Sequence, residues 1–170
     1  MNVVAISGSL QHDSANSGLL WAMAMAATDI EVTLWEELGE LPHFRPDIDE
    51  DEHVTSLRRA VAVADAVLIA TPEYAGGMPG ALKNALDWLV GSGELYRKPV
   101  VVVSAAPSAE RGHNARRWVG EVVAMQGGVV HDSFSVPIRP SERAASITSE
   151  ALPSLRRAIG AFRSRVVTGD

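Results

Sequence analysis

Five short apolar runs recur along the chain: VVAIS (3–7), EVTLWE (31–36), AVLIAT (66–71), VVVVSA (100–105) and VVHDSFSV (129–136). Three of them are almost unbroken aliphatic or β-branched stretches, the way a strand reads when helices cover both of its faces, as a parallel sheet requires. Segments of helical period lie between the runs. Val54, Leu57, Val61 and Ala64 repeat at spacings of three and four, as do Leu82, Ala85 or Leu86, and Leu89. At the end of the chain Leu152, Leu155, Ile159, Phe162 and Val166 predict a closing amphipathic helix. Parallel strands need crossovers of a dozen or more residues, and these are right-handed almost without exception. The order βαβαβαβαβα therefore predicts an α/β fold, a three-layer doubly wound sheet. Ligands of such sheets sit beyond the carboxyl ends of the strands, where the strand order reverses. The loops after the first, third and fourth strands are where a site is expected.

At 170 residues, 46% of them hydrophobic, the chain fits one globular domain over 1–170, and no repeat, low-complexity segment or linker divides it. A net charge of −6 argues against a nucleic-acid partner and for a small molecule or another protein. Cysteine is absent, which excludes disulfides, thiolate metal sites and a cysteine nucleophile, so redox chemistry would have to come from a bound cofactor. No apolar run approaches the ~18 residues of a membrane span, and MNVVAISGSL has no basic region ahead of a long apolar stretch. A cytoplasmic protein without a membrane partner is expected.

SGSLQHDSANSGLL follows the first strand and leads into a helix that should begin near Ser14 to Ser17. Ser7, Ser9, Ser14, Ser17, Asn16 and Gly8 put small donors beside a helix N-terminus, an arrangement suited to a phosphate. The alternative for Ser14 or Asn16 is a plain helix cap. The loop has no Lys or Arg, and neither a P-loop nor a G-x-G-x-x-G spacing occurs in the chain, which turns the reading away from ATP and from dinucleotide-fold NAD binding.

TPEYAGGMPGALKNALDW (71–88) follows the third strand. Pro72 opens a turn, Gly76, Gly77 and Gly80 let backbone approach a flat ligand, and Pro79 suits the first turn of the next helix. Tyr74 is the loop's one large face.

GSLQHDSAN and TPEYAGGMPGALKNALDW together resemble the two signature segments of the NADPH-dependent FMN reductases, which include quinone, chromate and azo-dye reductases. The family usually reads GSLRxxSxN and PEYNxSxPGxLKNAxDW, and the resemblance runs from Val3 to about Pro107. Gln11 stands where the family commonly has Arg, and Ala75 and Gly77 replace its Asn and Ser. The resemblance implies a flavodoxin-like three-layer α/β/α sandwich with a five-stranded parallel sheet in the order 2-1-3-4-5. It implies that Ser9, Gln11, Ser14, Asn16 and Ser17 hold the FMN phosphate, and that Pro72, Glu73, Tyr74, Ala75, Gly76 and Gly77 line the isoalloxazine. The loop SAAPSAERGH would approach the pyrimidine side through Ser104 to Ser108, with Ser104, Ala106 and Pro107 among the cofactor-binding residues.

The reaction so implied is hydride transfer from NADPH or NADH to FMN, then electron transfer to a quinone, flavin or similar small acceptor in a ping-pong scheme, with no catalytic side chain required. Glu73 reads as a ligand of local backbone rather than an acid or base, and Tyr74 as a shaper of the pocket. Family members associate through the region of GALKNALDWL (80–89), which implies a homodimer or homotetramer; otherwise its leucines are core and Trp88 covers the surface. A flavodoxin-type electron carrier and a flavin-free binding protein of the same fold are the competing readings.

Other patterns carry less. DIDED (47–51) begins like a calcium loop, but Glu52 occupies the position that needs Gly and Arg58 the one that needs a bidentate Glu. His12, His43, His53, His113 and His131 show no paired-ligand spacing, and no G-x-S-x-G elbow occurs, so neither a metal centre nor a serine hydrolase is expected. Gly112 and His113 read either as a nicotinamide contact or as a helix start.

Overall fold

The apolar runs form strands and the periodic segments form helices in a computed structural model that describes residues 1–27, 30–47, 51–108 and 110–138. Strand β1 is Asn2–Ser7, β2 Glu31–Trp35, β3 Ala66–Ala70, β4 Pro99–Ala106 and β5 Val129–Pro137. Helix α1 is Ala15–Ala26, α2 Glu52–Val63, α3 Gly80–Trp88 and α4 His113–Met125, and a 3-10 turn spans Leu38–Glu40. All strand pairs are parallel and the order is β2-β1-β3-β4-β5, as expected. The chain places β2 on one side of β1 and then crosses over to β3 on its other side, so the strand order reverses at β1.

Alternation along the strands divides the core in two. Val4, Ile6, Val67, Ile69, Val100 and Val102 face α2, α3 and α4, meeting Leu57 and Val61 from α2, Leu82 and Leu86 from α3 and Val119 and Val123 from α4. Val3, Ala5, Leu68, Val101 and Val103 face the other way, towards Leu19, Leu20 and Met23 of α1. Every residue of β3 is buried, which is why AVLIA carries no polar alternation.

Local chemistry sets the helix starts. The Ser14 hydroxyl caps α1 by accepting from the amides of Asn16 and Ser17, and the Asp51 carboxylate caps α2 through His53 N and Val54 N. Pro79 lies one residue ahead of α3, in extended backbone, and its carbonyl accepts from Lys83 N at 3.0 Å. Trp88 departs from both readings given to it: it neither faces a partner nor covers the surface, being 2% exposed. Its Nε1 donates to the Pro42 carbonyl at 2.9 Å and Phe44 packs edge-on at 5.0 Å, because the chain after β2 folds back over this end of α3. Leu82, Leu86 and Leu89 are core beside it. The closing helix expected at 152–166 lies outside the described residues, as do positions 48–50 of the acidic run. Within that run, Asp47 pairs with Arg45 and Asp51 is a helix cap. No helix among the described residues is long and apolar enough to cross a membrane.

Candidate functional site

The loop after β1 is a chain of small hydrogen bonds. The Ser7 and Ser17 hydroxyls meet at 2.8 Å, Ser9 N donates to Ser7 Oγ at 3.3 Å, and Gln11 N donates to Ser9 Oγ at 3.2 Å. Ser9 and Ser14 therefore accept from backbone while their own O–H protons stay available to a ligand. Asn16 does not cap the helix. It is buried, and its Oδ1 accepts from Ala105 N at 2.9 Å, which pins α1 to β4. Gly8 turns tightly over β3, donating to the Ala70 carbonyl at 2.7 Å, and a Cβ there would stand 2.9 Å from Leu82 Cδ2. Ser7, Ser9, Gln11 and Ser17 line a cleft of about 310 Å³ whose far wall is Trp35, Leu38 and the carboxylate-bearing Glu36 and Glu40. Ser14, Asn16 and the loops after β3 and β4 do not line it.

After β3 the backbone makes a two-residue turn. Tyr74 and Gly77 exchange two hydrogen bonds of 3.0 Å, and Ala75 (φ 49) and Gly76 (φ 79) both lie in the left-handed region between them. That is the geometry of a type I′ turn. The space a Cβ would take is open at Gly76 and at Gly80, whereas at Gly77 it is filled by the Trp118 ring, with Cζ3 at 2.6 Å and Cη2 at 2.9 Å. Tyr74 is half-exposed, and Trp118 is 44% exposed while its ring lies on the Gly77 backbone.

Glu73 bonds backbone, though not the local backbone expected of it. Its Oε2 accepts from Asn114 N at 2.9 Å and Ala115 N at 3.2 Å, the first turn of α4. The cap position of that helix is Gly112, at φ 78, which has no side chain to offer. A carboxylate from another loop thus satisfies the amides and meets the positive end of the helix dipole.

At the end of β4, Ser104 is buried, and its Oγ donates to the Thr71 carbonyl at 2.7 Å, tying β4 to the start of the β3 loop. Ala106 is buried as well, while Pro107 is exposed. His113 begins α4, and Gly112 packs so closely on Ser104 that a Cβ would stand 2.8 Å from its Oγ and 3.0 Å from Arg116 Nη1. Arg116 and Trp118 were not found by sequence reading. Neither lies in a motif, and each reaches the site only because α4 packs across the two loops.

Beside the cleft, Trp35 Nε1 donates to Ser56 Oγ at 3.0 Å, Ser56 Oγ donates to Glu37 Oε1 at 2.9 Å, and His53 Nδ1 meets Glu37 Oε2 at 2.9 Å. The hydrogen bond from His53 holds the Glu37 carboxyl below the ordinary carboxylate range, and Glu37 in turn raises His53.

A family model described as NADPH-dependent FMN reductase matches residues 1–140. The chain belongs to that family. The NADPH-dependent FMN reductase domain so matched contains all five strands and all four helices described above. A 2-hydroxy-1,4-benzoquinone reductase from Burkholderia is 40% identical over 90 residues, 52% of this chain and 49% of that protein, so this match spans about half of the relative. A quinone reductase from Pseudomonas putida is 35% identical over 126 residues, 69% of this chain and 67% of that protein. Among solved structures, the FerB flavoenzyme NAD(P)H:(acceptor) oxidoreductase from Paracoccus denitrificans superposes with a TM-score of 0.77 at 28% identity, covering 95% of this chain and 94% of that one. A flavodoxin, WrbA-like protein from Agrobacterium tumefaciens shares the fold, with a TM-score of 0.59 at 16% identity over 95% of this chain and 97% of that one.

Proposed function

We propose that residues 1–170 form a single FMN-binding domain that acts as an NAD(P)H oxidoreductase on small acceptors such as quinones or free flavin. Bound FMN would supply the chemistry, taking a hydride from NADPH or NADH and releasing electrons to the acceptor in a second, separate half-reaction. One observation carries the reading: the only two loops that match the family's signature segments, after β1 and β3, leave the same edge of the sheet from adjacent strands.

The residues suit such a group. Ser9, Gln11, Ser14, Asn16 and Ser17 stand at or just ahead of the N-terminus of α1, where small hydroxyls and the positive end of the helix dipole favour a phosphate, the Asn16 and Ser17 amides themselves being held by Ser14 Oγ. Pro72, Glu73, Tyr74, Ala75, Gly76 and Gly77 would line the ring, with no Cβ to obstruct a flat face at Gly76. Ser104, Ala106 and Pro107 would border it from β4, and Glu73 would fix the loop by holding α4 rather than by moving a proton. No catalytic side chain and no metal are assigned. We place the protein in the cytoplasm, with a small-molecule acceptor and no nucleic acid or membrane partner.

The test is the visible spectrum of the purified protein after FMN is added and the excess removed, followed by NADPH or NADH. Yellow bands that remain with the protein and bleach on adding pyridine nucleotide are expected. Parallel double-reciprocal lines against varied acceptor would report the two separate half-reactions. A colourless protein would overturn the reading.

A further inference from the structure

The loops after β1 (8–14) and β3 (71–79) carry no lysine or arginine. A cation nevertheless lies under this edge of the sheet. Arg116, on the first turn and a half of α4, is 6% exposed. Its Nη1 donates to the Arg111 carbonyl and to Ser135 Oγ of β5, and its Nε–H is buried with no acceptor. Arg116 forms no ion pair with any of the described residues. Burial works against its charge and only Glu73 works for it, and the Glu73 carboxylate is already shared with Asn114 N and Ala115 N. A guanidinium so enclosed, with its buried Nε–H unused among the described residues, is destabilising unless an anion comes near it. Its Nη1 and Ser104 Oγ both lie close against Gly112 at the end of the loop after β4, and the Glu73 carboxylate of the loop after β3 is near enough to act on its charge.

We propose that Arg116 is a charge-tuning residue of the flavin site: its fixed cation serves as counter-charge to the ring those two loops would line, and favours whichever state of the ring carries more negative charge. The proposal rests on the FMN-binding reading above. It assigns Arg116 no contact with substrate; the effect passes through the field at the site, which a low-dielectric surrounding strengthens.

The experiment measures FMN affinity by flavin fluorescence, and the midpoint potential of protein-bound FMN by anaerobic dye equilibration, in the wild type, Arg116→Gln and Glu73→Gln. Removing the cation is expected to lower the affinity for reduced relative to oxidised FMN about tenfold, which for a two-electron couple is a shift of about 30 mV to more negative potential. Glu73→Gln, which removes the opposing charge, is expected to move the potential the other way. A folded Arg116→Gln protein with the wild-type potential would overturn the proposal. Should that variant not fold, Arg116→Met, which keeps the buried aliphatic stem and removes the charge, decides: a shift of about 30 mV to more negative potential supports the charge effect, and the wild-type potential overturns it. Failure of the wild type to bind FMN is a separate outcome, since it removes the underlying reading before any variant is compared and takes this proposal with it.

Discussion

At φ 49, Ala75 holds the first central position of a turn whose other central residue, Gly76, is at φ 79. Left-handed backbone at a residue with a Cβ is strained, and the two-residue turn that uses it twice is the one that most favours Asn-Gly. Ala75→Asn should therefore stabilise the protein by about 1 kcal/mol, read as a higher midpoint in urea unfolding. The family's usual Asn at this position then has a backbone reason independent of any contact with a ligand. Gly77 is constrained differently: a serine Cβ would stand 2.6 Å from Trp118 Cζ3, closer than real contacts allow. Gly77→Ser should displace the indole or the loop and weaken FMN binding by roughly tenfold, or about 1.4 kcal/mol. Trp118→Ala in the same chain should recover most of that loss, because the two positions share one volume and their effects cannot add.

Helices here are fastened to the loops by single polar groups that reach across the fold. Asn16 is one such group, its side chain accepting from Ala105 N of β4 at 2.9 Å. Asn16→Ala leaves that amide without its acceptor and should cost about 1–3 kcal/mol, measured by the same urea unfolding. The start of α2 is fastened by charge. His53 is raised by its hydrogen bond to Glu37, so its contribution to stability is complete below the ordinary histidine range and is lost as pH rises through the higher folded value. Glu37 is lowered, so its contribution holds above the ordinary carboxylate range and is lost as pH falls through the lower folded value. The pair is strongest in mildly acidic solution between those limits. Both groups are partly exposed, so solvent screens the pair and the effect is small. His53→Gln should flatten the fall in thermal midpoint that the wild type shows from mildly acidic to mildly alkaline pH, and an identical slope in both proteins would count against the pair.

At the scale of the molecule, α3 keeps its leucines and Trp88 inside, so the helix expected to mediate association does not present those side chains. The aromatic surface beside the site is Tyr74 and Trp118, both substantially exposed. We expect sedimentation to give the mass of a dimer or tetramer, and a lone-chain mass would remove that expectation. The sheet was legible because the unbroken apolar runs of β1, β3 and β4 are what burial on both faces imposes on a strand, and the spacing of the helical segments is likewise a local property. The β1 and β3 loops were legible because small residues packed between a strand and a helix leave few other uses. Chain order by itself placed Glu73 near Tyr74 and Arg116 near Asn114, and the packing of α4 joined them, a carboxylate to helix amides 41 residues on. The same packing laid Trp118 on Gly77 and buried Arg116 beside Gly112, contacts that no periodicity or motif encodes. The sequence by itself determined the alternation of elements and the two loops that carry the signature. Tertiary structure decided which distant side chains cap, fill and charge those loops, because that depends on where one helix comes to rest across the ends of three strands.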